Sequence, residues 1–394
     1  MTTRSQLTLW YILFLGAVGA FHPYLAVVLD DAGARGLAKA GILSLFPLGS
    51  ILAGPTLTWV ADRTGRGVLV LRIALIVTAA ASIALALDQS LPWMVAWICV
   101  LSFSRAPTSS IVDMLTVGRL GMGRTGYGGV RAWGSVGFIL AAATVSLFLD
   151  ELPLIPLWST AGLLVGLAVL TMTIRSERRP VGPQERASIS TLLSNRALLG
   201  VYFVAILHQA TISFYDHFYA LHITRTLRDL PSWTVGASII VGVGLEVLVL
   251  VNGHRLLKRF GPLTLVLMGV ASGIPRGLIT AGTTDPALLI GTQALHGLGF
   301  GAWWVGAIAL VSSNAPEKLR NSAQGLFMAS SHGLGTLLAM GTAALLLDRA
   351  STTAVFYANS GLSVLALVAA LLLIFPAARR GAGLSPGDRS ERGH

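Results

Sequence analysis

The stretch RSERRPVGPQERASISTLLSNR, residues 175–196, is the longest polar segment of the 394-residue chain. Six apolar segments precede it and six follow it, and each is long enough to cross a bilayer as a helix of about 20 residues. The stretch therefore divides the chain into two halves. We predict an all-α membrane protein with twelve transmembrane helices in two pseudo-symmetric six-helix bundles.

The composition excludes a water-soluble protein. Only 11% of the residues are charged and 54% are hydrophobic, whereas a soluble domain carries about 25% charged residues. The net charge of +11 would suit a nucleic-acid partner only if the basic residues clustered on a soluble face, and we expect no such partner. The single cysteine, Cys99, lies in an apolar run and excludes a disulfide framework and a cysteine-based metal site.

The apolar segments are bounded by charged residues, Pro or Gly. They cover residues 7–29, 40–61, 68–87, 91–118, 126–149, 153–174, 197–223, 233–254, 263–282, 287–312, 323–347 and 353–375. We expect an N-terminal bundle over residues 1–175, a cytoplasmic linker over 176–196, a C-terminal bundle over 197–376 and a disordered cytoplasmic tail over 377–394. The tail is rich in Gly, Ser and Arg, and such a composition forms no packed core.

Basic residues predict the orientation, because Lys and Arg accumulate in cytoplasmic loops. Most of the 28 Lys and Arg residues fall in the termini, the linker and the loops on the same side. We therefore place both termini in the cytoplasm, in a bacterial-type inner membrane. The first apolar segment is too long for a signal-peptide core, so we expect it to be retained as a helix.

Ionisable side chains inside the apolar segments are the candidate functional residues, because each costs at least about 2.5 to 3.5 kcal/mol at the bilayer centre. A residue kept at that cost should face a partner or a water-filled cavity. The strongest candidates are Asp113, Arg131, Asp216, Glu246, Arg276 and His296, and the weaker ones are Arg105, His208 and His332.

Sequence spacing predicts which of these residues lie at the same depth. Asp113 and Arg131 lie nine residues either side of position 122, so they are level on antiparallel neighbours. Arg276 and His296 lie ten residues either side of position 286 and are level in the same way. Asp113 and Arg131 could neutralise each other or clamp a polar substrate. The alternative is that Asp113 with Arg131, and Glu246 with Arg276, are structural ion pairs that only hold helices together.

The segment GPTLTWVADRTGRG, residues 54–67, ends the second predicted helix and forms a cytoplasmic turn. We expect Asp62 to cap the start of the third helix and to interact with Arg63 or Arg66. Gly54 permits close approach of a neighbouring helix. The alternative interpretation is an ordinary basic turn.

The sequence contains no catalytic motif that competes with transport. It lacks a Walker A loop, an HExxH helix and a GxSxG turn after a strand. We therefore expect no enzyme activity, no cofactor and no metal. The energy for transport would come from a gradient, unless transport is passive.

Four blocks of the sequence resemble one transporter family. They are DMLTVGRLGMGRTGYGGVRAWGSVGF at 113–138, VGLEVLVLVNGHRLLKRFG at 243–261, SGIPRGL at 272–278 and QALHGLGFG at 293–301. Together with the six-plus-six layout and the ADRTGR turn, they make the chain similar to the major facilitator superfamily, in its lactose-permease-like and phenylpropionate-permease-like branch. The resemblance implies two bundles around a central cavity that opens alternately to either side, commonly with proton-coupled uptake.

The resemblance also implies roles for individual residues. The substrate-binding positions are Asp113, Arg131, Phe138 and His296. The proton-coupling positions are Glu246, Arg276, His296, Asp216 and His332. The turn motif that acts in conformational change contains Gly54, Asp62, Arg63 and Arg66.

The chain departs from lactose permease at positions that matter for coupling. Gly299 stands three residues beyond His296, where that permease has its proton-carrying acid, and Gln293 replaces a lysine. Phe138 replaces a sugar-stacking tryptophan, and Val249 replaces a sugar-contacting asparagine. These departures weaken the case for a galactoside.

We expect a monomeric, proton-coupled symporter of a small organic solute: a sugar, a nucleoside or an aromatic acid. Asp113 and Arg131 would orient the solute. Glu246, with His296 and Asp216, would exchange the proton, because a carboxyl group removed from water favours its neutral form. One alternative is a proton-coupled exporter of drugs or metabolites. Another, a non-transporting sensor or scaffold, would need no charges buried in both halves.

Overall fold

The computed structural model describes residues 2–121, 126–175 and 189–375, and every structural statement below concerns those residues. Most of the predicted linker, residues 176–188, and the predicted tail, residues 377–394, lie outside them. The described residues form helices and connecting turns and contain no strand. The all-α prediction is confirmed.

Twelve helical spans are long and apolar enough to cross a membrane in the described part of the chain. Numbered span 1 to span 12 in chain order, they are Thr3–Asp31, Gly36–Thr64, Gly67–Leu87, Leu91–Leu120, Tyr127–Phe148, Ile155–Met172, Arg196–Thr226, Trp233–Val251, Gly253–Gly282, Pro286–Asn314, Ser322–Arg349 and Thr352–Ile374. Each span overlaps one predicted segment, and only the start of span 9 differs by more than a few residues. The twelve-helix prediction is confirmed.

Spans 1, 2 and 4 are each interrupted once. Their helices are Thr3–Phe21 and Leu25–Asp31, Gly36–Leu43 and Leu45–Thr64, and Leu91–Arg105 and Thr108–Leu120. Pro23 and Pro107 lie in two of these breaks, as expected of a residue that lacks an N–H and clashes with the preceding turn. His22 directly precedes Pro23, and Arg105 is the last residue of the helix before the break at Pro107, so a polar side chain lies at each break.

Span 9 begins earlier than residue 263, where the sequence predicts it. The helical stretch starts at Gly253 and changes direction at Gly261, which has a φ of 75°. Only glycine adopts that angle readily, and Pro262 follows it. The sequence also did not predict a short helix in the linker. This helix, Ile189–Leu193, lies in the described end of that segment.

Four spans contain a π-helical turn, in which the backbone is wider than in an α-helix. The turns are His222–Thr226, Gly297–Ala302, Ala329–Gly335 and Ala370–Ile374. Such turns are rare and are frequent at functional sites. One directly follows His296 and another contains His332.

The hydrophobic cores show how the two halves meet. We call the face that carries the N-terminus and the turn at Gly65 the terminal face, and the other the opposite face. One core joins Phe21 and Tyr24 of the N-terminal half to Phe214 and Phe218 of the C-terminal half, toward the opposite face. Toward the terminal face, each half has a core of its own. The halves are therefore closed at the opposite face, and the cavity between them opens to the terminal face.

Close backbone packing and polar contacts fasten the closed end. Ser232 Oγ at the start of span 8 donates to the carbonyl of Ser146 in span 5 at 2.6 Å. A Cβ at Gly236 would clash with Ser146, so the glycine is needed for this approach. Across the molecule, the backbone N–H of Leu37 in span 2 donates to Asp348 in span 11 at 3.0 Å.

Candidate functional site

A hydrogen-bonded path in the C-terminal half connects three of the predicted residues. Arg276 Nη1 lies 3.3 Å from His296 Nδ1, and His296 Nε2 lies 3.2 Å from Glu246 Oε2. Arg276 and His296 are 6% and 9% exposed. Spans 8, 9 and 10 each contribute one member, so the predicted level placement of Arg276 and His296 is realised as direct contact.

The direction of this path follows from the chemistry of its members. A guanidinium can only donate, so Nδ1 of His296 accepts from Arg276. The imidazole proton then lies on Nε2, from which it is donated to the carboxylate of Glu246. Arg276 thereby fixes the tautomer of His296, and His296 presents a proton to Glu246.

Small residues and a neighbouring amide hold the path in place. Gly242 and Gly297 lie where spans 8 and 10 touch, and a Cβ at Gly297 would press on the backbone of Leu245 and Glu246. Gln293 Oε1 accepts from Arg276 Nε at 3.2 Å and from Nη2 at 2.6 Å. The glutamine that departs from lactose permease is therefore an acceptor for the buried arginine.

The ring of Tyr215 lies under the same guanidinium. Arg276 Cζ is 3.4 Å from the ring centroid, which is a cation–π contact, and the Tyr215 hydroxyl is 2.9 Å from Thr280 Oγ1. Tyr215 is not among the residues predicted from the sequence, although it directly precedes the predicted Asp216.

Asp216 faces the cavity between the halves. Its side chain is exposed, whereas Tyr215 and His217 on either side of it are each only 6% exposed. An exposed acid in the middle of a buried span must lie against a water-accessible space. The structure therefore places Asp216 beside the cavity and outside the Arg276–His296–Glu246 path.

In the N-terminal half, Tyr11 stands between the two predicted partners. Its hydroxyl donates to Asp113 Oδ1 at 2.6 Å, and Arg131 Cζ lies 5.8 Å from its ring centroid. No direct ion pair between Asp113 and Arg131 is formed among the described contacts. Equal depth on neighbouring helices brought both charges to Tyr11 without forming a direct ion pair between them.

The remaining predicted side chains lie away from these two groups. Phe138 is half-buried on span 5, where its backbone packs on Gly19 of span 1. His208 Nε2 lies 2.7 Å from the carbonyl of Gly299. His332 is half-buried and meets the edge of Trp304 at 5.8 Å between ring centroids.

The expected cap by Asp62 is wrong. Arg66 occupies the position before the helix Gly67–Leu87, and no side chain caps that helix. The preceding helix continues through Asp62 to Thr64 and ends at Gly65, whose φ of 63° makes the turn. Arg63 lies over the ring of Trp59 at 5.1 Å instead of pairing with Asp62.

Gly54, the first residue of the turn motif, faces span 4. A Cβ placed on it would lie 3.8 Å from the carbonyl oxygen of Ala106, an ordinary van der Waals distance. Close approach of spans 2 and 4 therefore does not depend on a glycine at this position.

A separate cavity of about 780 Å³ lies at the opposite face. Asp31, Asp150, Arg225 and Arg228 are among its lining residues, and none of the predicted site residues lines it. No group of three or more His, Cys, Asp or Glu side chains that could hold a metal occurs within the described ranges.

The chain matches one family model and several known permeases and transporters. The family model "MFS_1 like family" matches residues 5–358. The chain is 27% identical to the maltose permease of Geobacillus stearothermophilus over 94% of each chain. It is 27% identical to the nucleoside permease NupG of Escherichia coli over 61% of this chain and 63% of that protein. It is 24% identical to a probable 3-phenylpropionic acid transporter of E. coli over 75% and 79%.

Solved structures share the fold. A crystal structure of NupG (D323A mutant) superposes with a TM-score of 0.85 at 20% identity, covering 94% of this chain and all of that one. A POT family peptide transporter described as auto-inhibited superposes with a TM-score of 0.73 at 15% identity, covering 95% and 96%. The two-bundle architecture is therefore the one found in these transporters.

Proposed function

The chain belongs to the MFS_1-like family of the major facilitator superfamily, and we propose that this secondary transporter is a proton-coupled symporter of a small organic solute. It is a multi-pass membrane protein and not an enzyme. We place it in a bacterial-type inner membrane as a monomer without a nucleic-acid partner. With both termini in the cytoplasm, the terminal face is cytoplasmic and the structure is inward-facing.

One observation carries the proton-coupling proposal: the hydrogen-bonded path Arg276–His296–Glu246. With Glu246 ionised, the path is neutral, because the carboxylate offsets the guanidinium. A proton on Glu246 leaves the path with one positive charge. A change of one charge inside the membrane is large enough to bias which conformation the protein adopts. Asp216, facing the cavity, is the group through which the proton reaches water.

Solute binding falls to the N-terminal half in this scheme. Asp113 is an acceptor held by the Tyr11 hydroxyl, and Arg131 is a donor that lies over the ring of Tyr11. A donor and an acceptor separated in this way can bind a polar solute between them. The relatives are named for maltose, nucleosides and 3-phenylpropionic acid, so we propose a sugar, a nucleoside or an aromatic acid.

The test is uptake into proteoliposomes with an imposed pH gradient. The labelled solutes are maltose, uridine and 3-phenylpropionate, and the variants are wild type, Glu246→Gln and Asp113→Asn. Wild type should accumulate at least one solute only when the gradient is present. Glu246→Gln should retain exchange of that solute across the membrane but lose accumulation, whereas Asp113→Asn should lose both.

Two outcomes would contradict the proposal. Full accumulation by Glu246→Gln would show that Glu246 does not carry the coupled proton. Proton movement opposite to solute movement would indicate a proton-coupled exporter.

A further inference from the structure

A polar cluster without a described acid lies where spans 1, 2, 4 and 7 meet. Arg105 Nη2 lies 3.0 Å from His22 Nε2, and Arg105 Cζ lies 5.5 Å from the ring centroid of Phe46. The His22 ring lies 5.9 Å from that of His217 across the boundary between the halves. The cluster therefore contains side chains of both halves.

The hydrogen bonds of the cluster leave Arg105 with unused donors. Its guanidinium has five N–H groups and donates to His22, whose Nε2 must accept. His22 is therefore neutral. His217 Nδ1 lies 2.9 Å from the carbonyl of Ser213, an acceptor inside its own helix. No Asp or Glu forms an ion pair with Arg105 in the described part of the chain.

The other two mid-membrane arginines differ in this respect. Arg131 shares the ring of Tyr11 with Asp113, and Arg276 is joined to Glu246 through His296. Arg105 also lies within a membrane-spanning segment, but no described hydrogen bond or ion pair joins it to an acid. A guanidinium held away from bulk water without a counter-charge is a site for an anion.

Its position is where the two halves meet, because the His22 ring beside it faces His217 of the C-terminal half. Arg105 and His22 are half-buried at the breaks of spans 4 and 1, and both line a small cavity with Phe21, Leu101 and Thr160. Arg105 is eight residues from Asp113 along span 4, which corresponds to roughly 12 Å of helix. A solute bound near Asp113 and extending about that far would place its end at Arg105.

We infer that Arg105, with His22 beside it, is a carboxylate-binding subsite, and that the transported solute is an organic monocarboxylate. The planar fork of the guanidinium matches a carboxylate through two parallel hydrogen bonds. This inference rests on the proposed symport and narrows its substrate class. His22 keeps the fork oriented, and His217 brings the bound carboxylate into contact with the second half.

Charge balance connects the subsite to coupling. Arg105, Arg131 and Arg276 are offset by Asp113, Asp216 and Glu246 when the site is empty. One proton on Glu246 and one carboxylate on Arg105 together add no net charge. The empty site and the fully loaded site are both neutral, whereas a site that holds only the proton or only the carboxylate is not. Movement of the two halves is therefore favoured only when both or neither are bound.

The experiment compares an acid with its neutral amide. Wild type, Arg105→Gln and Arg105→Lys are reconstituted, and uptake of 3-phenylpropionate and 3-phenylpropionamide is measured with a pH gradient, beside uridine and maltose. Arg35→Gln, which removes the same charge from an exposed loop, is the matched control. Wild type and Arg35→Gln should transport the acid and not the amide. Arg105→Gln should reduce acid uptake by about 10- to 100-fold, with partial recovery in Arg105→Lys.

Membrane voltage supplies a second readout, which reports the net charge of the loaded site. A potassium diffusion potential of either sign should leave the rate of acid uptake by wild type unchanged, because the loaded site carries no net charge. Thermal unfolding of the purified variants separates loss of fold from loss of the subsite. Uptake of acid by Arg105→Gln at the wild-type rate, or equal uptake of acid and amide by wild type, would overturn the inference.

The remaining outcomes separate the inference from the proposed symport. Gradient-driven uptake of uridine or maltose without the acid would overturn the carboxylate subsite and leave symport intact. Exchange of the acid that requires Arg105 but is not driven by the pH gradient would overturn symport and leave the subsite intact. No uptake of any of the four probes would count against both.

Discussion

Arg225 Nε in the C-terminal half lies 3.2 Å from Asp30 Oδ2 in the N-terminal half. The same guanidinium also pairs with Asp31, and Asp30 pairs with Lys39. These contacts lie at the opposite face, where the two halves are closed. Because the carboxylates and Arg225 are about one-third to one-half exposed, each pair contributes only about 0.5 to 1 kcal/mol.

Arg225→Gln should shift the protein toward a state that is open at the opposite face. Arg225 forms two of these pairs, so its replacement removes about 1 to 2 kcal/mol, which corresponds to a roughly five- to thirtyfold change in population. In a Cys99→Ser background, a cysteine at the fully buried Leu29 should react with a maleimide faster by about that factor. Arg228→Gln is the control, since Arg228 donates to the carbonyl of Arg225 rather than to an acid. Equal labelling rates in the two variants would show that the ion pairs do not hold this face closed.

Gly236→Ala should also weaken the closed end, by steric conflict instead of lost charge. The new methyl group would meet Ser146 of span 5, and overpacking of this kind costs about 1 to 3 kcal/mol. The matched control is Gly244→Ala on the same span, where no atom lies within 4 Å of the added Cβ. The melting temperature should be lowered by Gly236→Ala and unchanged or raised by Gly244→Ala. Identical melting temperatures would contradict the close contact.

Gln293→Lys should destabilise the C-terminal half. Gln293 is 3% exposed and accepts two hydrogen bonds from Arg276, so a lysine would place a second positive charge against the first. We expect a loss of about 3 kcal/mol or more, measured by thermal unfolding. Gln293→Glu keeps an acceptor for Arg276 and should be tolerated far better. Equal melting temperatures for Gln293→Lys and Gln293→Glu would contradict the prediction.

Tyr11→Phe should change solute binding with little effect on folding. It removes the hydroxyl that donates to Asp113 at 2.6 Å and frees the carboxylate to approach Arg131. A pair formed between those two charges would compete with the solute, so KM should rise several-fold. The control is Tyr202→Phe, which removes a hydroxyl bound to the carbonyl of Ala323 in the other half. An unchanged KM in Tyr11→Phe would separate Asp113 from solute binding.

The sequence predicts the spans well because hydrophobic length is a local property. It also predicts depth, since equal distances from a short connection place two residues level, as for Arg276 and His296. Depth does not determine which side chain fills the space between two helices. Tyr11 contacts both Asp113 and Arg131, and no count of residues along the chain predicts that contact.

Contacts between residues that are far apart along the chain could not be predicted from sequence spacing. His22 and His217 are nearly two hundred positions apart, and they meet only because the halves close on each other at spans 1 and 7. Arg105 was only a weaker candidate from the sequence, and in the described part of the structure no acid forms an ion pair with it. That lack of an acid is the property on which the carboxylate subsite depends.

The π-helical turn Gly297–Ala302 in span 10 affects how this chain is compared with its relatives. Such a turn takes one residue more than an α-helical turn, so the side chains after it are rotated by roughly 100° relative to an uninterrupted helix. With that rotation, Trp303 lies against His208. An alignment to a protein whose tenth helix lacks the turn needs a gap of one residue. Without the gap, every position in Trp303–Asn314 is assigned to the wrong side of the helix.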